Sequence, residues 1–201
     1  MHIQTPEQLR SLYKPPTERA LNKELTYIDH HMERFISLSP FLVVASGDAH
    51  MQMDASPRGG NPGFVKTLDK HTLLIPDALG NNRLDTLQNI LATRQLGLLF
   101  FIPGIDEMLR INGRATLHTD DHLLSLFEHL QNKPRLVINV VVENTYMHCA
   151  KAVMRAGLWT PENQQQRTLL PTMGQLIKEH SRLEGPAESQ EAMLKRYETE
   201  L

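Results

Sequence analysis

The segment Leu73-Leu74-Ile75-Pro76-Asp77-Ala78-Leu79-Gly80-Asn81-Asn82-Arg83-Leu84-Asp85 combines an apolar run, a glycine turn and a helix start. Asn82 is placed to cap that helix, with Asp85 three residues further on. The free backbone N–H groups of a helix start attract anions, and Arg83 adds a permanent charge there that suits a phosphate. An ordinary capped helix after a turn has the same residue types, so this segment alone names no ligand.

Ser56-Pro57-Arg58-Gly59-Gly60-Asn61-Pro62-Gly63 is a second candidate. Glycines let a backbone approach a ligand closely, and Arg58 can neutralise a phosphate or an electron-rich ring edge. A plain hairpin loop shares this composition. In Glu107-Met108-Leu109-Arg110-Ile111-Asn112-Gly113-Arg114-Ala115, Arg110, Asn112 and Arg114 alternate with apolar residues. They should share one sheet face, which is open to solvent, to a ligand or to a second subunit.

Other reactive types lack a constellation. His148-Cys149 could form a nucleophile pair only with further geometry, and a lone cysteine usually packs. His118 and His122 have metal-compatible spacing, but Asp120-Asp121 between them read as a helix cap, and no third ligand is indicated. His30-His31 sits mid-helix in this reading, which sends the two rings to different sides. No nucleophile elbow, Walker loop or Gly-x-Gly-x-x-Gly is present, so no catalytic residue and no metal site is assigned.

The elements that must position these residues are mostly short strands. Apolar runs occur at Phe41–Ser46, Met51–Ala55, Thr72–Pro76, Leu96–Ile102, Met108–Leu117 and Leu136–Val142, the last apolar enough for burial on both faces. Helical spacing appears before them, where Thr17 caps a helix carrying Leu21, Leu25, Ile28, Met32, Phe35 and Ile36 on one face until Ser39-Pro40 ends it. It recurs at Leu84–Leu91 and Leu123–Leu130, and in a charged tail from Thr172 broken at Gly185-Pro186. Strands rarely separated by helices argue against a doubly wound sheet and for a small antiparallel barrel with helices at its ends.

Composition sets outer limits. The 201 residues suit one domain, with 40% hydrophobic and 22% charged residues. Twenty-one basic residues against 23 acidic ones, a net charge of −2, argue against nucleic-acid binding through a broad basic face and against a polybasic membrane anchor. Cys149 is the single cysteine, which excludes an internal disulfide. No apolar run nears the ~20 residues of a membrane span, and the first residues lack a secretory layout. A soluble, cytoplasmic protein is expected.

Taken in order, Asp54-Ala55-Ser56-Pro57-Arg58-Gly59-Gly60, Ile75-Pro76-Asp77 with Gly80-Asn81-Asn82-Arg83, Gly97-Leu98-Leu99-Phe100-Phe101-Ile102-Pro103-Gly104 and Leu109–Ala115 resemble the pyridoxamine 5′-phosphate oxidase-related flavoproteins. They are most similar to a bacterial subgroup of FMN-dependent oxidase-like proteins of unassigned substrate, over about residues 38 to 160. The resemblance implies a mainly β, α+β fold with flanking helices: a six-stranded FMN-binding split β-barrel at 39–160, a helical extension at 1–38 and a helical tail at 161–201 packed on the barrel or dimer. It implies a homodimer with FMN at the subunit interface.

In that family the loop after the third strand supplies phosphate ligands, which falls on Asn81, Asn82 and Arg83. Ile75 and Pro76 would line the flavin through their backbone. Ser56, Pro57 and Arg58 would approach the ring and phosphate, Met108 and Arg110 would face the cofactor, and Lys151 and Trp159 would come from the other subunit. The barrel would thus gather Arg58, Arg83 and Arg110 around one phosphate. The tail, with Gln164-Gln165-Gln166-Arg167 and a mixed-charge helix, lacks the family's arginine-rich C-terminal signature, and the loop from Asp54 to Gly63 is longer than in those oxidases. The implied activity is therefore an FMN-dependent oxidase or reductase of an unknown small substrate rather than the vitamin B6 reaction. The alternative is a non-catalytic flavin, deazaflavin or haem-binding protein on the same fold.

Overall fold

The computed structural model describes residues 2–77, 80, 82–182 and 184–199. The elements run α1 (Pro6–Arg10), α2 (Glu18–Asn22), α3 (His30–Leu38), β1 (Phe41–Gly47), β2 (Met53–Gly59), β3 (Lys66–Asp69), β4 (Thr72–Pro76), α4 (Asp85–Thr93), β5 (Gln95–Ile102), β6 (Ile105–His118), α5 (Asp121–Leu124), β7 (Val137–His148), α6 (Lys151–Ala156), α7 (Met173–Ser181) and α8 (Gln190–Tyr197). The strands form one antiparallel sheet in the order β2-β1-β5-β6-β7-β4-β3.

The sheet has seven strands where six were expected. The additional one is β3, four polar-rich residues at the edge that pair with β4 across the Lys70-His71 turn. So short and weakly apolar a run carries little periodic signal. Strand β2 also differs: it runs through Ser56-Pro57-Arg58-Gly59, which the sequence reading gave to a loop. Pro57 is tolerated because β2 is an edge strand.

The expected N-terminal helix is two helices. Thr17 does cap α2, accepting from the Ala20 N–H, but Leu25 then exchanges backbone hydrogen bonds with Thr145 on β7. Asp29 starts α3 by capping the Met32 N–H. A bridge to the sheet thus interrupts what periodicity alone would join. His30 and His31 consequently lie at the first turn of α3 rather than mid-helix, and their ring centroids are 3.8 Å apart, with the planes tilted by 39°, instead of diverging.

Curvature encloses one main core. Leu42, Val44, Leu98, Phe100, Leu109, Ile111, Ile138 and Val140 project inward from the strands, closed by Met32, Phe35 and Ile36 of α3 and by Leu87 and Ile90 of α4. Leu74 and Val137 face the other way and pack with Leu123 and Phe127. Burial on both faces therefore holds where β4 meets β7, and ends by Val141, which is half exposed.

Candidate functional site

The N-terminus of α4 lies beside the inner face of β2. Asp54, Ser56 and Arg58 alternate with the exposed Met53, Ala55, Pro57 and Gly59. Asp54 Oδ2 accepts from Ser56 Oγ at 2.9 Å and from Thr86 Oγ1 at 2.7 Å. Thr86 is buried, so this strand edge and helix start form one polar unit.

The approach to α4 is unusual. Asn82 and Leu84 both have left-handed backbones, with φ of 59° and 63°. Asparagine tolerates this well, and leucine poorly, at a cost of order 1–3 kcal/mol. The helix begins only at Asp85, and Leu84 occupies the cap position with no side-chain hydrogen bond to the helix. Asn82 is therefore not the cap. Asp85 instead accepts from Arg83 Nε at 2.8 Å, and the pair is exposed. A helix start whose cap residue offers no side-chain acceptor, with Asn82 and Arg83 beside it, has the chemistry of an anion cradle.

Asp77, just past β4, lies in the field of Arg58. Burial pushes its carboxyl above the ordinary carboxylate range, and the nearby Arg58 and Arg135 pull it back down. Arg58 also donates to its neighbour's carbonyl, Pro57 O, at 2.9 Å. Ile75 and Pro76 are buried in the last turn of the β4–β7 ladder, opposite Ile138 and Val137. Ser56, Arg58, Pro76, Asn82 and Arg83 thus belong to one region, while Pro57 points from β2 to the outer face. Asn81 lies outside the described residues.

Arg110 does not join Arg58 and Arg83. It is exposed on the outer sheet face, where Pro57, Val43, Leu99, Arg110 and Tyr146 stand in one cross-strand row. Its guanidinium bonds Tyr146 Oη at 3.3 Å and Asn112 Oδ1 at 3.4 Å. The strand parity that placed it with Asn112 was legible; which face Arg58 would take was not, because β2 was read as a loop. The adjacent row is Ala55, Ala45, Gly97, Asn112 and Asn144, small residues ending in an amide pair at 2.9 Å. Met108 is buried on β6, and Lys151 is exposed at the start of α6. Trp159 Nε1 donates to Ile105 O at 2.9 Å, on its own chain.

The family model for pyridoxamine 5′-phosphate oxidase matches residues 28–149, the span from the start of α3 to the end of β7. This chain belongs to that family. Among solved structures related to this family member, a HupZ variant from Group A Streptococcus superposes with a TM-score of 0.51 at 18% identity, covering 60% of this chain and 99% of that one. A candidate pyridoxamine 5′-phosphate oxidase from Lactobacillus delbrueckii gives 0.49 at 17%, covering 62% and 98%. HutZ, the heme storage protein from Vibrio cholerae, gives 0.41 at 10%, covering 60% and 94%. At 18% identity the likeness to the HupZ variant is one of fold. No curated protein shows significant similarity to the chain.

The remaining reactive residues stay apart from this region. Cys149 is exposed at the far end of β7. His118 binds Thr116 and Asp120 rather than His122, and among the described residues no group of three or more His, Cys, Asp or Glu could hold a metal ion. Among those residues no helix is long and apolar enough to cross a membrane.

Proposed function

We propose that this protein is an FMN-dependent oxidoreductase of a small substrate, working as a homodimer with FMN at the subunit interface. The observation that carries the reading is the start of α4, where two left-handed residues and a missing side-chain cap leave an anion cradle flanked by Arg58 and Arg83. The donor set fits a phosphate group: two guanidiniums, the Asn82 amide and the first N–H groups of a nine-residue helix. In this reading Asn81 adds a further donor, Ser56 and Pro57 stand beside the flavin, and the backbone of Ile75 and Pro76 lines it. Asp54 holds Ser56 and Thr86 in place, and Asp77 sets the field around Arg58. Arg110 and Lys151 reach the cofactor from the partner subunit, while Met108 is buried within its own chain. When bound, FMN supplies the hydride or electron transfer itself, so no catalytic acid is required of the chain.

The exposed surface supports a dimer. Phe41 and Met53 are exposed on the outer sheet face, beside the flat row from Ala55 to Gly97. Residues 39–160 form the cofactor-binding unit in this reading, with 1–38 and 161–201 packed against the barrel or the partner.

The visible spectrum of the purified protein tests it, before and after incubation with FMN. A flavin spectrum, and sustained oxygen uptake with NADH or NADPH, are expected. A protein that stays colourless and takes up no FMN overturns the proposal, as would a haem spectrum. Flavin bound without turnover would reduce it to a carrier or sensor, and preferential uptake of a deazaflavin would reassign the slot.

A further inference from the structure

On the outer side of β7, a cavity of about 300 Å³ opens beside α2 and is lined by Lys23, Glu24, Tyr146, His148 and Cys149 among others. Hydrogen bonds join its walls. The Leu25–Thr145 backbone pair binds the segment after α2 to β7, and Lys23 Nζ donates to Met147 O at 2.8 Å. This sets the Lys23 ammonium 4.8 Å over the Tyr146 ring, while the Arg110 guanidinium lies 5.8 Å from the same ring. The His148 ring is 5.0 Å from that of Tyr146.

Lys23 on the lining and Arg110 just beyond it, on the Tyr146 hydroxyl, therefore flank a two-ring wall. Lysine has three donors and arginine five, so the contacts made here leave donors for a ligand. Burial, then Arg110 and Lys23, hold the His148 imidazole below its ordinary range, which keeps it an uncharged ring at neutral pH. The volume is at the low end for small-molecule pockets and suits one ring. Glu24, a carboxylate on the same lining, opposes a doubly charged ligand and favours a single negative charge.

We propose that this cavity binds a one-ring aromatic carboxylate, its carboxylate held by Lys23 and Arg110 and its ring set against Tyr146 and His148. The site lies apart from the start of α4 and shares only Arg110 with the flavin reading, so loss of protection in Lys23→Gln, which that reading does not use, tells the two apart.

Cys149 is the chain's single cysteine, is exposed and lines the cavity, so its alkylation by iodoacetamide reports occupancy. Benzoate at about four times its Kd should slow alkylation about fivefold by simple occlusion. Benzyl alcohol and inorganic phosphate, at matched ionic strength, should leave the rate within about twofold of its unliganded value. Lys23→Gln and Arg110→Gln should each abolish protection by benzoate. Saturation-transfer NMR of benzoate on the unaltered protein gives a second readout that needs no variant. No saturable benzoate effect in either assay overturns the proposal. So does equal protection by benzyl alcohol, which would mark a merely apolar slot, by phosphate, which would mark a merely cationic patch, or protection that survives both substitutions.

Discussion

Thr86 Oγ1 donates to Asp54 Oδ2 at 2.7 Å, joining the first turn of α4 to the inner face of the edge strand β2. The two residues are 32 positions apart in the chain, and their contact is what brings the Arg58 and Arg83 segments to one place. Because Asp54 also accepts from Ser56, a single carboxylate organises the hydroxyls of both segments.

Arg83 is exposed and paired with Asp85, so its removal should leave the fold intact and act on ligand affinity. Arg83→Ala should weaken FMN binding by about 1.5–3 kcal/mol, the worth of a charge-assisted hydrogen bond. Quenching of FMN fluorescence on titration measures this. An unchanged dissociation constant would place the phosphate elsewhere.

Leu84 is half exposed and left-handed. Its side chain therefore loses little burial on removal, while its backbone gains. Leu84→Gly should raise stability by about 0.5–1 kcal/mol in urea unfolding. A loss of stability would mean that Leu84 packs on something that holds the strained turn.

Gly113 sits at the bulge where the β6–β7 register shifts. A Cβ there would collide with the Val141 carbonyl oxygen and come 3.0 Å from its carbon. Gly113→Ala should cost about 3 kcal/mol, seen as a fall in Tm of roughly 6–12 °C. A wild-type melting curve would show that the bulge can open freely.

Asp77 gives a pH-dependent stability. Its carboxyl is raised above 3.8, first by burial, against the pull of Arg58 and Arg135. Between the unfolded and folded values the folded chain binds more protons. The group's contribution is thus present below the unfolded value and lost as pH rises through the folded one. Asp77→Asn mimics the protonated form, so it should be more stable than the parent at neutral pH, with the gap closing as pH falls toward 3.8. Urea midpoints across that range decide it, and a gap that ignores pH would contradict the assignment.

The barrel strands were legible wherever alternation or apolar runs exceed about five residues: Thr72–Pro76 matches β4 at both ends, and Phe41–Ser46 lies within β1. The order of motifs along the chain carried the family. Local pattern also placed Thr17 as a cap and Arg110 with Asn112 on one face. Pairing partners settled the rest. Ser56-Pro57-Arg58 has the composition of a loop and becomes a strand only because β1 supplies its hydrogen bonds. Asn82 has the look of a cap, yet the chain enters α4 through a left-handed Leu84 that no propensity favours. Arg58 and Arg110 have the same chemistry in the sequence, and strand register puts them on opposite faces of one sheet. Residue types and spacing determine which groups are available and which share a local face. Which groups meet depends on long-range strand pairing and closure of the core, whose free energy belongs to the whole chain.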